Sequence, residues 1–317
     1  MASSLTTTAV LPPAVREYYD RMLLQTAFPY LIYTRFGQRR SLPKKSGDTL
    51  VFRRYAKLAP VPIPLVDGIT PAGATLSATD IKARVSFYGN FVTITNQVQL
   101  TVEDRVMNEA SELLAQNLGQ TMDQVARDCL ASTSSVLACS NGGGSNTPTP
   151  LSDADINAAV MILLGNDARM ISKVILGSDQ LGTTPIRPSF MGYIDVDLLD
   201  DLQDLSSFVS TTNYPGSQLA TVMQAEWGST NNVRWLFSSV GSVSAAATPV
   251  YNNFIVGQEA YGIVNLGSEM GEFYVKPLGS AGSADPLNQR GTIGWQHPFT
   301  ARILNDSFMI NLLSTRS

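Results

Sequence analysis

The stretch of sequence that decides the fold is Gly47-Asp48-Thr49-Leu50-Val51-Phe52-Arg53-Arg54-Tyr55, a β-prone run that opens on a turn signal. A second run, from Ile81 to Thr95, carries apolar residues at odd-numbered positions, namely Ile81, Ala83, Val85, Phe87 and Phe91. Because side chains alternate between the two faces of a strand, this spacing predicts one long strand with one apolar face. Together the two runs predict a β-hairpin arm over Gly47–Thr95.

The link between the two runs is rich in proline and reads Pro60-Val61-Pro62-Ile63-Pro64, followed by Asp67-Gly68 and Pro71. Proline lacks the backbone donor that a sheet needs and fixes an extended backbone, so the link is neither helix nor central strand. The second run alone spans ~50 Å at about 3.3 Å per residue. An isolated two-stranded ribbon is marginal in water. The arm is therefore expected to rest on another surface, and another copy of the chain is one candidate.

Charge is scarce and unevenly distributed. Charged residues make up 15% of the 317, against about 25% in ordinary soluble domains, and low charge is typical of surfaces that other chains cover. Residues 1–60 hold ten basic and three acidic groups, a net charge of +7, which leaves −11 for the remainder of a chain whose net charge is −4. A basic arm and an acidic body favour attraction between copies, although scattered solvated charge is the alternative.

The clearest helix begins at Val102 and is predicted to run to about residue 139, a length of ~55 Å at 1.5 Å per residue. Thr101 and Asp104 resemble a capping pair at its start. Its apolar residues recur at steps of three and four. Cys129 and Cys139 would lie ~15 Å apart on it, too far for a disulfide, which indicates reduced thiols and a cytosolic protein.

Shorter elements are predicted on both sides of this helix. Ser152 and Asp155 favour a capped helix over 154–164, and residues 197–205 also indicate a helix. Strands are predicted at 173–177, 232–237, 253–257 and within 291–313, with a short helix after Pro12-Pro13. No signal peptide or membrane-spanning segment is predicted.

Catalytic, metal and cofactor motifs are not expected. His297 is the only histidine and is predicted to be structural, and Gly142-Gly143-Gly144 lacks the Gly-Lys-Ser/Thr ending of a phosphate loop. The acidic residues at 195–204 lack the central glycine and terminal glutamate of a calcium loop, so a solvated helix face is predicted. A soluble hydrolase with paired carboxylates stays as an alternative, because such pairs need not be neighbours in sequence.

Four ordered segments resemble the major capsid proteins of tailed bacteriophages with the Hong Kong 97-type fold, most closely the coat-protein branch named after phage N-four. They are Phe36 to Tyr55, Leu65-Val66-Asp67-Gly68-Ile69-Thr70-Pro71, Val256-Gly257-Gln258-Glu259-Ala260-Tyr261-Gly262, and Asn288 to Trp295 followed by Ala301-Arg302-Ile303-Leu304-Asn305. Each segment is short, and the ordered set spans nearly the whole chain. Asp67 stands where the branch more often has Glu, and His297 is a second departure.

The resemblance implies an α+β chain divided into four parts. These are an N-terminal arm (1–45), an extended β-hairpin loop (46–97), a peripheral domain with a long spine helix (98–141 and 281–317) and an axial domain (142–280). The C-terminal segment would return to the peripheral sheet.

The resemblance also implies a structural role, with no enzymatic activity. Copies would form hexamers and pentamers that close into an icosahedral shell around double-stranded DNA, which they would contact without sequence specificity. Portal, scaffolding and cement proteins are further implied partners. The location would be the virion, with assembly in the cytoplasm of the host bacterium. An encapsulin-type compartment is the alternative within the same fold.

Contacts between copies are predicted to involve charged residues of the arm and of the spine helix. Arg53, Arg54 and Lys57 would pair with acidic residues of a neighbouring copy, with Glu103, Asp104 and Glu109 as candidates. Exposed pairs contribute only about 0–1 kcal/mol each, but a shell repeats them in every copy. The alternative is that these cations are merely solvated.

Overall fold

The computed structural model describes residues 5–6, 31–43, 47–62, 64, 67–68, 70, 73–97, 106–141, 147–175, 183–214, 222–244, 248–266, 272–277 and 285–317. Its helices are α1 (Val106–Ala131), α2 (Asp153–Gly165) and α3 (Leu199–Gln203). Its strands are β1 (Leu5–Thr6), β2 (Gln38–Leu42), β3 (Thr49–Tyr55), β4 (Ala78–Arg84), β5 (Ser86–Thr95), β6 (Val136–Ala138), β7 (Ile171–Ile175), β8 (Thr183–Asp195), β9 (Val209–Ser210), β10 (Glu226–Thr230), β11 (Val233–Ser238), β12 (Ser242–Ser244), β13 (Val250–Val256), β14 (Tyr261–Leu266), β15 (Glu272–Lys276), β16 (Arg290–Ile303) and β17 (Met309–Ser314). The strands come in long runs at both ends of the chain with the helices between them, an α+β arrangement.

A six-stranded sheet carries the long helix. Its strand order is β1-β5-β16-β14-β2, and β15 pairs with the other end of β16. The antiparallel pair β5–β16 runs from Thr95 opposite Arg290 to Ser86 opposite Phe299. Helix α1 packs on one face of this sheet, where the indole N–H of Trp295 donates to Asn117 Oδ1 at 3.2 Å.

A nine-stranded sheet forms the second layer, with strand order β6-β17-β13-β8-β11-β10-β9 and with β12 and β7 on its flanks. Its centre is mixed, because β8 is parallel to β11 and antiparallel to β13. Buried side chains such as Phe190, Trp235 and Ile255 pack with Ile156 and Leu163 of α2. The central strands β8, β11 and β13 are apolar on both faces, as expected for strands covered on both sides.

The predicted single long arm is wrong in one respect: the run Ile81–Thr95 is broken at Val85. The part before Val85 belongs to β4 and pairs with β3, whereas the part after it is β5 and pairs with β16. Val85 is buried with Ala83, Leu42 and Val264, which anchor the base of the hairpin to the sheet. The hairpin therefore consists of β3, β4 and the link between them.

The spine helix is shorter than predicted, and its end at about residue 139 is wrong. Helix α1 ends at Ala131, so its 26 residues span ~39 Å at 1.5 Å per residue. The following Ser132-Thr133-Ser134-Ser135 favours turns, since hydroxyls compete for backbone hydrogen bonds. The Ser132 hydroxyl donates to the Cys129 carbonyl at 2.7 Å, and Cys139 follows strand β6, so the two cysteines do not share a helix.

Several other predicted elements are confirmed. Ser152 caps α2, with its hydroxyl accepting from the Asp155 backbone N–H at 3.3 Å. The strands predicted around residues 173, 232 and 253 are β7, β11 and β13. The predicted helix at 197–205 is a 3-10 turn, Val196–Leu198, followed by α3. The helix after Pro12-Pro13 and the capping pair Thr101–Asp104 lie outside the described residues.

Some strands lie in a different sheet from the one expected from the predicted peripheral and axial domains. Strands β14 and β15, from the region assigned to the axial part, lie in the six-stranded sheet with β16. Strand β17, from the region assigned to the peripheral part, lies in the nine-stranded sheet. The division into four domains stays a prediction.

Candidate intersubunit contact surface

The hairpin carries its charges on its exposed face. Arg53 and Asp80 are directly opposite each other, and the guanidinium donates two hydrogen bonds, Nε to Oδ1 at 2.8 Å and Nη2 to Oδ2 at 3.0 Å. Nearer the base, Arg84 Nε donates to Asp48 Oδ2 at 2.8 Å. Opposite charges at facing positions stabilise an antiparallel pair. The Arg53–Asp80 pair therefore favours the observed register of the hairpin.

These pairs also shift the titration of their carboxylates. The hydrogen bond from Arg53 lowers the pKa of Asp80, and hydrogen bonds from Thr49 and Arg84 lower the pKa of Asp48. The same contact with Asp80 raises the pKa of Arg53. Both carboxylates are therefore ionised well below neutral pH, and the hairpin keeps its pattern of charge in mildly acidic solution.

Beyond the pair of Tyr55 and Ala78, the described residues of the link are exposed. Apolar side chains here have little cover: Val61 is 74% exposed, Leu76 is 72% and Leu58 is 49%. Prolines at 60, 62 and 64 keep this segment from pairing as a central strand. The tip thus presents apolar surface that the rest of the described chain does not bury.

Lys57 connects the start of the tip to the nine-stranded half of the same chain. Its Nζ lies 2.6 Å from Oδ2 of Asp167, which follows the C-terminal end of α2. The contact lowers the pKa of Asp167, and both side chains are mostly exposed. Exposed pairs of this kind contribute little stability and are readily exchanged for other partners.

The residues predicted to contact a neighbour have different surroundings. Within the chain, Arg53 pairs with Asp80 and Lys57 with Asp167, whereas Arg54 is exposed and forms no ion pair with the described residues. Glu109 lies half-buried in the first turn of α1. Glu103 and Asp104 lie outside the described residues. Contacts of these six residues with another copy stay a prediction.

A second exposed surface lies on the six-stranded sheet, on the face opposite α1, and sequence reasoning misplaced its main residues. Phe87 and Phe91 were expected to share one apolar face with Ala83 and Val85, yet they are 62% and 60% exposed whereas Ala83 and Val85 are buried. Phe91, Gly294 and Tyr274 lie side by side on β5, β16 and β15. These residues line an open groove of about 560 Å³, and Gly294 allows Phe91 a close approach, because a Cβ added at Gly294 would lie 2.7 Å from the Cβ of Phe91.

The signal that could have placed these phenylalanines correctly is a change of parity along the run. Before Val85 the buried positions are odd, Ala83 and Val85. After it the apolar side chains that reach the core are at even positions, because Tyr88 and Val92 pack against the core and Ile94 is buried in it. Such a switch requires an irregular residue between two strands, which the alternation pattern alone does not locate.

The histidine and the two cysteines, the side chains best suited to catalysis or metal binding, lie in structural positions. His297 is buried in β16, and burial lowers its pKa. Cys129 and Cys139 are free thiols whose pKa values are raised by burial, to about 11 and about 12. Over the described residues, His, Cys, Asp and Glu form no cluster of three or more that could hold a metal ion. Within the same residues, no helix is both long and apolar enough to cross a membrane.

The chain is similar over nearly its entire length to solved structures of phage capsids. The head structure of Helicobacter pylori bacteriophage KHP40 is 12% identical, with a TM-score of 0.68 over 99% of this chain and 98% of that chain. The capsid of Ralstonia phage GP4 is 12% identical, with a TM-score of 0.66 over 100% and 99%. The capsid of cyanophage P-SCSP1u is 14% identical, with a TM-score of 0.63 over 95% and 93%.

These likenesses confirm the predicted fold class: the chain has the Hong Kong 97-type α+β fold of phage capsid proteins. No protein-family model matches the chain, and no curated protein matches it in sequence.

Proposed function

We propose that the chain is the major capsid protein of a tailed bacteriophage. Copies would assemble as hexamers and pentamers into an icosahedral head shell around double-stranded DNA. The observation that carries this proposal is the end-to-end likeness to phage capsid structures, in which nearly all of this chain and nearly all of the compared chain are matched. The protein would reside in the virion after assembly in the cytoplasm of the host bacterium, and it would act as a structural protein without catalysis.

The exposed apolar surfaces support assembly. Phe87, Phe91 and Tyr274 form an aromatic surface on the sheet, and the aliphatic side chains of Val61 and Leu76 are exposed at the tip of the hairpin. Soluble monomers rarely expose large contiguous apolar patches, and such patches usually mark interaction sites. In the proposed shell, neighbouring copies would cover both surfaces, with the hairpin of one copy lying over the peripheral part of the next.

Arg54 is the arm cation best suited to bind a neighbour, since Arg53 and Lys57 already have partners within the chain. We expect it to pair with Glu109 or with the acidic residues just before it, Glu103 and Asp104. The matched experiment is a charge reversal, Arg54→Glu, followed by the double variant Arg54→Glu with Glu109→Arg. Shells of Arg54→Glu that dissociate at lower salt than wild-type shells, with resistance restored in the double variant, would support this pair. Shells of both variants that resist salt as well as the wild type would contradict it.

The shell role is tested by expressing the full chain alone and examining it by electron microscopy and sedimentation. Shells or capsomer rings are expected. A small compact particle that hydrolyses model substrates would contradict the proposal and favour a soluble hydrolase. Shells that enclose a protein cargo and no DNA in the native source would favour an encapsulin-type compartment.

Portal, scaffolding and cement proteins are partners of the proposed shell. Contact with DNA would be independent of sequence and would weaken with salt, because it rests on phosphate charge. Arg39 and Arg40 are exposed cations of the predicted N-terminal arm (1–45) that could make such contacts.

A further inference from the structure

The link of the hairpin contains a stiff extended segment, the proline run of residues 60–64, which reads Pro60-Val61-Pro62-Ile63-Pro64. Residues 56–62 form neither helix nor strand. Proline fixes its own φ, and a residue that precedes proline favours an extended backbone. The run therefore loses little conformational entropy when another surface binds it.

The aromatic surface of the six-stranded sheet is a groove of the kind that binds such a segment. Phe91 of β5 and Tyr274 of β15 lie on either side of Gly294 of β16, and Gln296 lines the same groove. Phe91 is 60% exposed and Tyr274 is 46% exposed. Extended proline-rich segments characteristically bind in grooves lined by aromatic side chains. The groove and the proline run thus have matching chemistry.

Neither surface is covered within the single chain. Pro60, Pro62 and Pro64 are exposed, and Val61 between them is 74% exposed, so the described part of the run does not lie in the groove of its own chain. The run cannot be covered by adding it to a sheet as a central strand, because alternate residues lack a backbone donor. It therefore requires a partner that binds it through side chains, as the aromatic groove does.

Charge favours the same partner. Asp67 is the only acidic residue between Ala56 and Ser77, and it is exposed three residues after Pro64. Lys276 is exposed and lines the groove two residues after Tyr274. Three extended residues span ~9 Å and two strand residues span ~7 Å. With Pro64 against Tyr274, the carboxylate and the ammonium would therefore lie close enough to attract each other.

We propose that the proline run of one copy docks in the aromatic groove of a neighbouring copy. The inference rests on the proposed shell, and it names the two surfaces that meet there. Because the run and the groove are different parts of the chain, the contact is head-to-tail: each copy binds one neighbour through its run and another through its groove. Contacts of this kind close into rings when the rotation between copies permits, as hexamers and pentamers require.

The test is chemical cross-linking of assemblies of the full chain that carries Val61→Cys in the run and Gln296→Cys in the groove. Both positions are exposed, so neither substitution should disturb folding. A short bismaleimide should join the copies into a ladder of covalent products larger than the dimer, because every copy carries both cysteines. A mixture of the two single variants should give dimers and no larger products.

Two controls test whether the ladder is specific. The wild type, which has only Cys129 and Cys139, should give no ladder, because Cys139 is buried and Cys129 is partly buried. Val243→Cys combined with Gln296→Cys should also give none, since Val243 is exposed on β12 in the other sheet. Tyr274→Ser, added to the chain with Val61→Cys and Gln296→Cys, should slow the formation of the ladder severalfold.

The outcomes separate this inference from the shell role. Shells that form normally but give no ladder, or only dimers, would overturn the inference and leave the shell role intact. If Gln296→Cys in such shells reacts freely with a small maleimide, the groove is open to a different protein. A ladder that forms at an unchanged rate with Tyr274→Ser would overturn the aromatic contact. A chain that forms no assemblies at all would contradict the shell role and the inference with it.

Discussion

Among single residues, Arg234 and Glu226 show how differently an ion pair behaves when water is excluded. Arg234 Nε donates to Glu226 Oε1 at 2.7 Å, and the two side chains are 4% and 0% exposed. Glu226 also accepts from the Tyr214 hydroxyl at 3.0 Å and from the backbone N–H of Met223 at 2.9 Å. Every oxygen of this carboxylate is thus committed, and removal of the charge leaves a buried cation uncompensated.

Glu226→Gln is therefore expected to destabilise the subunit by about 3–5 kcal/mol, the range for removing one partner of a buried pair. The measurement is the free energy of unfolding in urea. Arg53→Gln is the matched control, because it breaks a bidentate pair at the protein surface. An equal loss of stability in both variants would contradict the role assigned to burial.

Gly192 in β8 is a position where a single methyl group should disturb the core. A Cβ added there would overlap the indole ring of Trp235, which is fully buried on the neighbouring strand. Gly192→Ala is expected to lower stability by about 1–3 kcal/mol, the usual range for overpacking. Gly165→Ala at the end of α2 is the control, since its Cβ would meet nothing within 4 Å. Thermal unfolding of both variants checks the difference.

Among the elements, β5 faces α1 with one set of side chains and solvent with the other. Phe91→Ser should leave the thermal midpoint of the subunit nearly unchanged and impair assembly, because Phe91 is 60% exposed on the aromatic surface. Val92→Ser, one position along, should lower the midpoint, because Val92 packs against the main core. Sedimentation of both proteins reports assembly. Normal shells from Phe91→Ser would show that neighbouring copies do not use this surface.

Local signals in the sequence predicted the elements that are decided locally. A β-prone run after a turn signal identified β3, and the Ser152 cap identified α2, because both depend on residues a few positions apart. The end of α1 and the switch of parity at Val85 were missed, since each is fixed partly by contacts with residues far along the chain. Thr133 bonds to Asp306, and β5 is positioned by β16, about 200 residues away in sequence. The aromatic surface at Phe91, Gly294 and Tyr274 was not predicted for the same reason, because its residues are distant in sequence and meet only when the strands pair.

In the whole molecule, the hairpin has two parts with different roles. Its base belongs to the body of the subunit through Leu42, Ala83, Val85 and Val264. Its tip, from 56 to 77, is fastened by the exposed contact of Lys57 with Asp167. If the tip stabilises the subunit itself, its removal should lower the free energy of unfolding. If it serves only the shell, its removal should leave that free energy unchanged and impair assembly.

The two roles are separated by replacing residues 56–77 with Asn-Gly. Tyr55 and Ala78 are directly paired, so a two-residue turn closes the shortened hairpin in its native register. The variant is expected to unfold at the same urea concentration as the wild type and to form no closed shells by electron microscopy. A full-length variant with alanine at Pro60, Pro62 and Pro64 is the control for stiffness, and it should assemble more slowly because a flexible tip loses more entropy when a neighbour orders it. Closed shells from the shortened hairpin would mean that the copies are held together by the sheet surface and α1, without the arm.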